Sequence, residues 1–193
     1  MPWEKQYDET DVLNRAMEAF WAHGYEATSV HDLVKTTGIN RGSLYAAFTD
    51  KHTLFIQALR HYDTEHRKAF LTAVTRDYPP REAILAAFRQ VVTTSKNGRN
   101  RKGCLLVNTA LELSPHDPEV DKIVRASLKE VENFFRMMIE AAQRDGTIRS
   151  GLLPTETAQA LLSLFLGLRV LSRSRPEKPL MEAIVSQAET LLE

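Results

Sequence analysis

The chain has 193 residues, 43% hydrophobic and 8% aromatic, with 25 Lys and Arg set against 25 Asp and Glu. That composition supports a packed core and excludes a disordered polypeptide. A single cysteine excludes an internal disulfide and fits a reducing compartment. With no charged-then-apolar leader at the N-terminus and no run of roughly 18 uninterrupted apolar residues to cross a membrane, a cytoplasmic protein with no membrane partner is expected.

Residues 1–8 read as polar and loosely ordered. A first helix is expected from about Thr10 to His23, with Leu13, Ala16, Met17, Phe20 and Trp21 on its apolar face and Gly24 ending it. From Thr28 to Lys51 the chain reads TSVHDLVKTTGINRGSLYAAFTDK. Val30, Leu33 and Val34 share one face of a short helix, which Thr28 or Ser29 can cap. Gly38 offers a turn that tolerates positive φ, and Ile39 plugs it. Asn40 is a good N-cap for a second short helix, Arg41 to Phe48. Leu44 and Phe48, four apart, face inward and leave Arg41, Gly42, Ser43, Tyr45, Ala46 and Ala47 outside.

Two short helices about a glycine turn form a helix-turn-helix unit, whose second helix fits the DNA major groove. Arg41 has the two donors that match a guanine edge. Ser43, Tyr45 and Lys51 can reach phosphate oxygens. Gly42 weakens a helix by about 1 kcal/mol relative to Ala, which makes sense where backbone must come close to a partner. Bulk charge points the other way. Residues 1–51 carry five basic and eight acidic side chains, a net charge of −3. DNA binding must therefore rest on the local placement of Lys35, Arg41, Lys51 and the helix N-termini, with a moderate non-specific affinity that salt abolishes.

Asp50 caps a helix beginning at Lys51, and Leu54, Phe55, Ala58, Leu59 and Tyr62 recur at helical spacing. This helix is expected to reach about Arg76 as one rod joining head to body, until Pro79-Pro80 stops it. A helix from Arg81 to Ser95 turns Ile84, Leu85, Phe88, Val91 and Val92 inward. The basic stretch from Lys96 to Gly103 reads as a solvated connection. Further helices are expected from Cys104 to about Leu113, and from Pro118, capped by Asp117, to about Arg144. The last two run from Glu156 to Arg173 and from Leu180 to Leu192. Leu161, Leu162, Leu164, Phe165, Leu168 and Leu171 cover more than one face of the former, so it needs two partners: its own core and a second subunit. No strand-like alternation or internal repeat is present.

No catalytic constellation, metalloprotease motif or phosphate loop stands out, so neither an enzyme nor a cofactor is expected. His61, Glu65 and His66 are read as exposed helix rather than a metal site, because histidines five apart do not share a face. His116-Asp117 reads as a cap. Cys104 starts a helix just after Arg99, Arg101 and Lys102, surroundings that favour a thiolate. A reactive sensor and an inert buried thiol both remain open there. A ligand cavity between helices would draw on Phe88, Val92, Cys104, Val107, Asn108, Leu111, Phe134, Met138, Phe165 and Arg169, with Asn108 and Arg169 as its polar groups. Plain core packing by the same residues is the alternative.

Thr28, Val30, Leu33, Gly38-Ile39-Asn40, Gly42-Ser43-Leu44-Tyr45, Phe48 and Asp50-Lys51 resemble the DNA-binding signature of the tetracycline-repressor (TetR/AcrR) family, over about the first 60 residues. The match departs at Asn40, where Ser is commoner, and at Ala46, where a polar phosphate-contacting residue is frequent. The resemblance implies an all-α homodimer: a three-helix DNA-binding head over residues 1–52, continuous with a six-helix ligand-binding and dimerisation body over 53–193. It implies DNA contacts from Thr28, Asn40, Arg41, Gly42, Ser43, Tyr45, Ala46 and Lys51, and a dimer formed through the last two helices. It further implies a regulator, most often a repressor, that binds a palindromic double-stranded operator and is released by a small-molecule effector. Two other readings stay open. One is a redox or electrophile sensor acting through Cys104, as in some members of that family. The other is a helical enzyme or adaptor without DNA binding, which the acidic head favours.

Overall fold

The computed structural model describes residues 7–95 and 101–193. The N-terminal stretch expected to be loosely ordered lies outside them up to residue 6, as does the basic connection from 96 to 100. Nine helices and no strand occur among the described residues. The head is α1 (Glu9–His23), α2 (Val30–Thr37) and α3 (Arg41–Phe48). The rod α4 has three contiguous segments, Lys51–Tyr62, Asp63–Lys68 and Ala69–Asp77. The remaining helices are α5 (Pro80–Ser95), α6 (Leu105–Glu112), α7 (Pro118–Arg144), α8 (Pro154–Ser174) and α9 (Lys178–Thr190).

The helix starts follow from short polar side chains. Asp8 accepts from Thr10 N–H, Asn40 from Ser43 N–H and Asp50 from Thr53 N–H. Ser29 and Asp32 form a reciprocal capping box at α2, so Ser29 and not Thr28 is the cap. Asp117 accepts from the N–H groups of Glu119 and Val120, with Pro118 at the first helical position. Such caps contribute about 1 kcal/mol each. The expected starts of α8 and α9 move two residues toward the N-terminus, because proline fits the first turn of a helix and Pro154 and Pro179 lie inside it.

The rod differs from the uniform helix expected. Its middle segment, Asp63–Lys68, is π-helical. Asp63 and Arg67 are both buried in it, and Asp63 Oδ2 accepts from Arg67 Nη2 at 2.8 Å. A second contact joins Arg67 Nε to Asp63 Oδ1, and Arg67 Nη2 also reaches Glu130 on α7 at 2.6 Å. A guanidinium this buried needs such partners.

Two apolar clusters form the interior. The first joins Phe20, Leu33, Leu44, Leu54 and Phe55 of the head and upper rod to Leu105 and Leu106 of α6 and Val120 of α7. Phe20 meets Phe55 edge to face at 5.0 Å. The second lies lower, around Phe88, Phe135 and Phe165, whose ring centroids are 5.3–5.8 Å apart. The head is thus packed directly onto α6.

Polar contacts reinforce that seam. The Glu112 carboxylate, at the end of α6, accepts from Tyr25 N–H at 3.2 Å and Glu26 N–H at 2.9 Å. Gly24 makes room for it: φ there is +88°, and an added Cβ would lie 2.8 Å from Glu112 Oε2. His52 Nε2 sits 2.6 Å from Asp117 Oδ2. Lys102 pairs with Glu18, and Trp21 Nε1 donates to Gly103 C=O at 3.3 Å.

Candidate functional site

The helix-turn-helix is fixed from beneath. Leu44 and Phe48 of α3 are buried with Leu33 and Ile39. Gly38 turns the chain at φ +77° with nothing crowding its α-carbon, so only its conformational freedom is used. The opposite face of α3 presents Arg41, Gly42 and Ala46, all exposed, and Ser43 and Tyr45, both half-buried. Arg41 and Tyr45 are held as a pair, with Nη2 donating to the phenol oxygen at 3.4 Å and Cζ 5.4 Å from the ring centroid. Asn40 is exposed, but its Oδ1 already accepts from Ser43 N–H at 2.8 Å. Lys51 lies over the Tyr25 ring, with Nζ 4.2 Å from the centroid.

Thr28 departs from the expectation. It is 1% exposed, and its hydroxyl donates to Gly24 C=O at 2.6 Å, so its side chain closes the α1–α2 turn and does not face outward. A feature the sequence did not suggest follows α3. Thr49 adopts φ 65° and ψ −56°, and Asp50 N–H donates to Phe48 C=O at 2.6 Å. This is a γ-turn of the strained, positive-φ kind. It stops α3 abruptly and sets Asp50 to cap the rod.

The acidic excess of the head is mostly engaged away from that face. Asp8, Asp32 and Asp50 cap helices, Asp11 pairs with Arg15, and Glu18 pairs with Lys102. The Ser29 hydroxyl and N–H hold the Asp32 carboxyl below its ordinary range, and Thr53 does the same for Asp50. The helix Arg41–Phe48 itself contains no carboxylate.

A cavity of about 280 Å³ opens where rod, α5, α6, α7 and α8 meet. Trp21 reaches it from the head, and Tyr62, His66, Phe70, Gly103, Cys104, Val107, Phe165 and Arg169 are among its walls. Cys104, Val107, Phe165 and Arg169 of the expected residues therefore line it. The others do not. Phe88 and Phe134 are buried in the lower core, where Val92 and Met138 also pack. Asn108 donates Nδ2–H to Lys102 C=O at 2.9 Å and so holds the approach to α6. Leu111 is 73% exposed, because it lies about two turns beyond Cys104, past the cavity.

Tyr62, His66 and Trp21 were not foreseen as wall residues. Tyr62 O–H donates toward Cys104 Sγ at 3.5 Å, and burial pushes its pKa well above the ordinary phenol value, so it stays protonated. His66 stacks on Tyr62 with centroids 5.0 Å apart, and burial lowers its pKa, leaving a neutral ring at pH 7. Of the weak histidine cluster read in the sequence, His61 instead contacts Asn14 Oδ1 at 2.6 Å. The fourfold spacing of Tyr62 and His66 was visible in the sequence. That α6 would cross it was not. No helix among the described residues is long and apolar enough to cross a membrane.

Comparison with known proteins gives consistent matches. Residues 12–58 match the family model for bacterial regulatory proteins of the tetR family, and residues 80–186 match the tetracyclin repressor-like C-terminal domain. The uncharacterized HTH-type transcriptional regulator YezE of Bacillus subtilis is 33% identical over 75% of this chain and 74% of its own. The HTH-type transcriptional repressor ComR of Escherichia coli is 28% identical over 88% of this chain and 81% of its own. Among solved structures, a cysteine-substituted TetR-family regulator, CifR, complexed with 26-bp double-strand operator DNA, superposes with a TM-score of 0.84. It is 27% identical, with 98% of this chain and 99% of that one covered. A tetR-type head and a repressor-like body thus follow one another along a single polypeptide, and this protein belongs to the TetR family of DNA-binding transcriptional regulators.

Proposed function

We propose that the protein is a repressor that binds a palindromic operator as a homodimer and lets go when a small molecule fills the cavity. The observation that carries this reading is α6. Its first turn forms a cavity wall at Cys104, Leu106 and Val107, and its last residue, Glu112, grips the turn between α1 and α2. A ligand that shifts the start of α6 acts on the head through one short, stiff helix. A coupling of about 1–3 kcal/mol between the two sites is enough for such a switch. The apolar residues Leu162, Leu164 and Leu171 of α8 and Ile184 and Val185 of α9 remain half-exposed. Pairing with their copies in a second chain would cover them. It would also place two α3 helices in major grooves about 34 Å apart. Relatives and structural neighbours that are repressors or bind operator DNA support the same reading.

The test is selection from random duplex DNA with the purified protein, which is expected to enrich an inverted repeat. On the selected site, Arg41→Ala should weaken specific binding by about 1–3 kcal/mol while leaving the melting temperature unchanged, because Arg41 is exposed. Equal operator affinity for parent and variant would remove Arg41 from the base-reading role.

A second reading is favoured by one contact. Cys104 Sγ faces the same cavity and receives the Tyr62 hydroxyl, so modification of the thiol would press on the start of α6. Arg99 lies outside the described residues, and Lys102 is already paired with Glu18. If the thiol is the trigger, Cys104→Ser keeps full operator affinity but resists release by a thiol-alkylating reagent such as N-ethylmaleimide. Release of the Ser variant at the parent rate would end that reading.

A further inference from the structure

The charge lining the cavity is one-sided. Among the described residues its walls hold three cationic side chains, Arg67, Lys102 and Arg169, and no Asp or Glu. Two of the three are neutralised from behind: Arg67 by Asp63 and Glu130, and Lys102 by Glu18. Arg169 has no carboxylate partner among the described residues. Its guanidinium carbon lies 5.0 Å from the Phe165 centroid and 5.7 Å from that of Phe70. Those rings offer π-faces and no lone pair. Arg169 Nε is buried and meets no hydrogen-bond acceptor among the described residues. The residue as a whole is only partly buried, but its Nε is shut off from solvent without an acceptor, and Arg169 borders a cavity whose other walls are mainly apolar.

We propose that the effector is a small organic carboxylate, with its anionic head on Arg169 and its apolar body against Phe70, Phe165 and Val107. This rests on the reading of the cavity as the effector site. The guanidinium edge suits a carboxylate, which can accept two parallel N–H bonds. One uncompensated positive charge calls for a monoanion, because a dianion would carry a second, unpaired charge into a largely apolar space. The volume, about 280 Å³, lies near the lower end for small-molecule sites, so the body is the size of one or two rings or a short alkyl chain.

The full-length protein should be titrated calorimetrically with benzoate, 2-naphthoate and octanoate, each paired with its neutral primary amide. At least one acid is expected to bind ten times or more tighter than its amide. Arg169→Gln should lose at least tenfold in acid affinity with the amide unchanged, whereas Arg169→Lys should keep the preference for the acid. Binding by none of the three acids, equal binding of acid and amide, or full acid affinity in a folded Arg169→Gln protein would each overturn the proposal. If Arg169→Gln fails to fold, the acid-to-amide ratios of the parent and Arg169→Lys decide. Operator release is measured separately. An acid that binds through Arg169 without releasing DNA leaves the carboxylate site standing and removes the effector reading instead.

Discussion

Asp63→Ala is expected to destabilise the protein by about 3–5 kcal/mol at neutral pH, the range for removing one partner of a buried ion pair. The side chains of Asp63 and Arg67 are 11% and 8% exposed, and they sit in the π-helical turn of the rod. Without Asp63 the guanidinium keeps only Glu130, which is half-exposed, so the effect falls toward the lower end of that range. Urea unfolding at fixed protein concentration measures it. Replacing both partners by apolar residues of similar size, Asp63→Leu with Arg67→Met, should recover most of the loss, because no charge then needs burying. A loss below about 1 kcal/mol in the single variant would show that the pair is solvated and the turn is held by other contacts.

The same carboxylate gives a pH dependence with a definite sign. Burial raises its pKa, but the hydrogen bonds and charge of Arg67, with help from Ser127 and Lys68, outweigh it and leave the pKa below the ordinary value. The unfolded chain therefore takes up this proton first on acidification. The contribution is complete above the ordinary carboxylate range and is lost as pH falls through it toward the folded value. Asp63→Ala should accordingly show a shallower fall in stability on the acid side than the parent.

Glu112→Ala is expected to disconnect the head from the cavity. It deletes the shared acceptor of the Tyr25 and Glu26 N–H groups. A hydrogen bond to a charged group contributes about 1.5–3 kcal/mol where it is partly buried, and the more exposed one adds less. Amide hydrogen exchange at Tyr25 and Glu26 should rise tenfold or more, because each 1.4 kcal/mol of lost protection is a factor of ten. If α6 is the transmitting element, a carboxylate that binds the parent and releases its operator should still bind this variant, with the ratio of operator affinities with and without it falling toward one. Unchanged release alongside accelerated exchange would place the transmission elsewhere, with Trp21 the next candidate, because it joins α1 to Gly103 and to the cavity.

The head and the helix boundaries of the body were legible because their determinants are local. Ser29, Asn40, Asp50 and Asp117 cap helices through backbone groups two or three residues away, and Gly38 and the prolines act on their own torsion angles. Side chains at Leu44 and Phe48 sort inward by helical spacing alone. Even so, Thr28 shows a limit of local reasoning. The resemblance implies a DNA contact there, but the α1–α2 turn brings Gly24 C=O within reach of its hydroxyl, and the side chain is buried. The Thr49 turn also escaped notice, because threonine gives no sign of accepting a positive φ; the packing on either side imposes it.

Apolar spacing and punctuation in the sequence determined the helices, their order and the exposed face of α3, because each of these depends on neighbours within a turn or two. Tertiary structure alone decided the π-helical turn, the hold of Glu112 on the head, and which side chains enclose the cavity. Those features need residues from six helices, as distant as Trp21 and Arg169, to meet. Helical periodicity says which face of a helix is apolar. It does not say which neighbour that face meets, nor that an arginine among the apolar residues of α8 would arrive beside two phenylalanines with no carboxylate partner among the described residues.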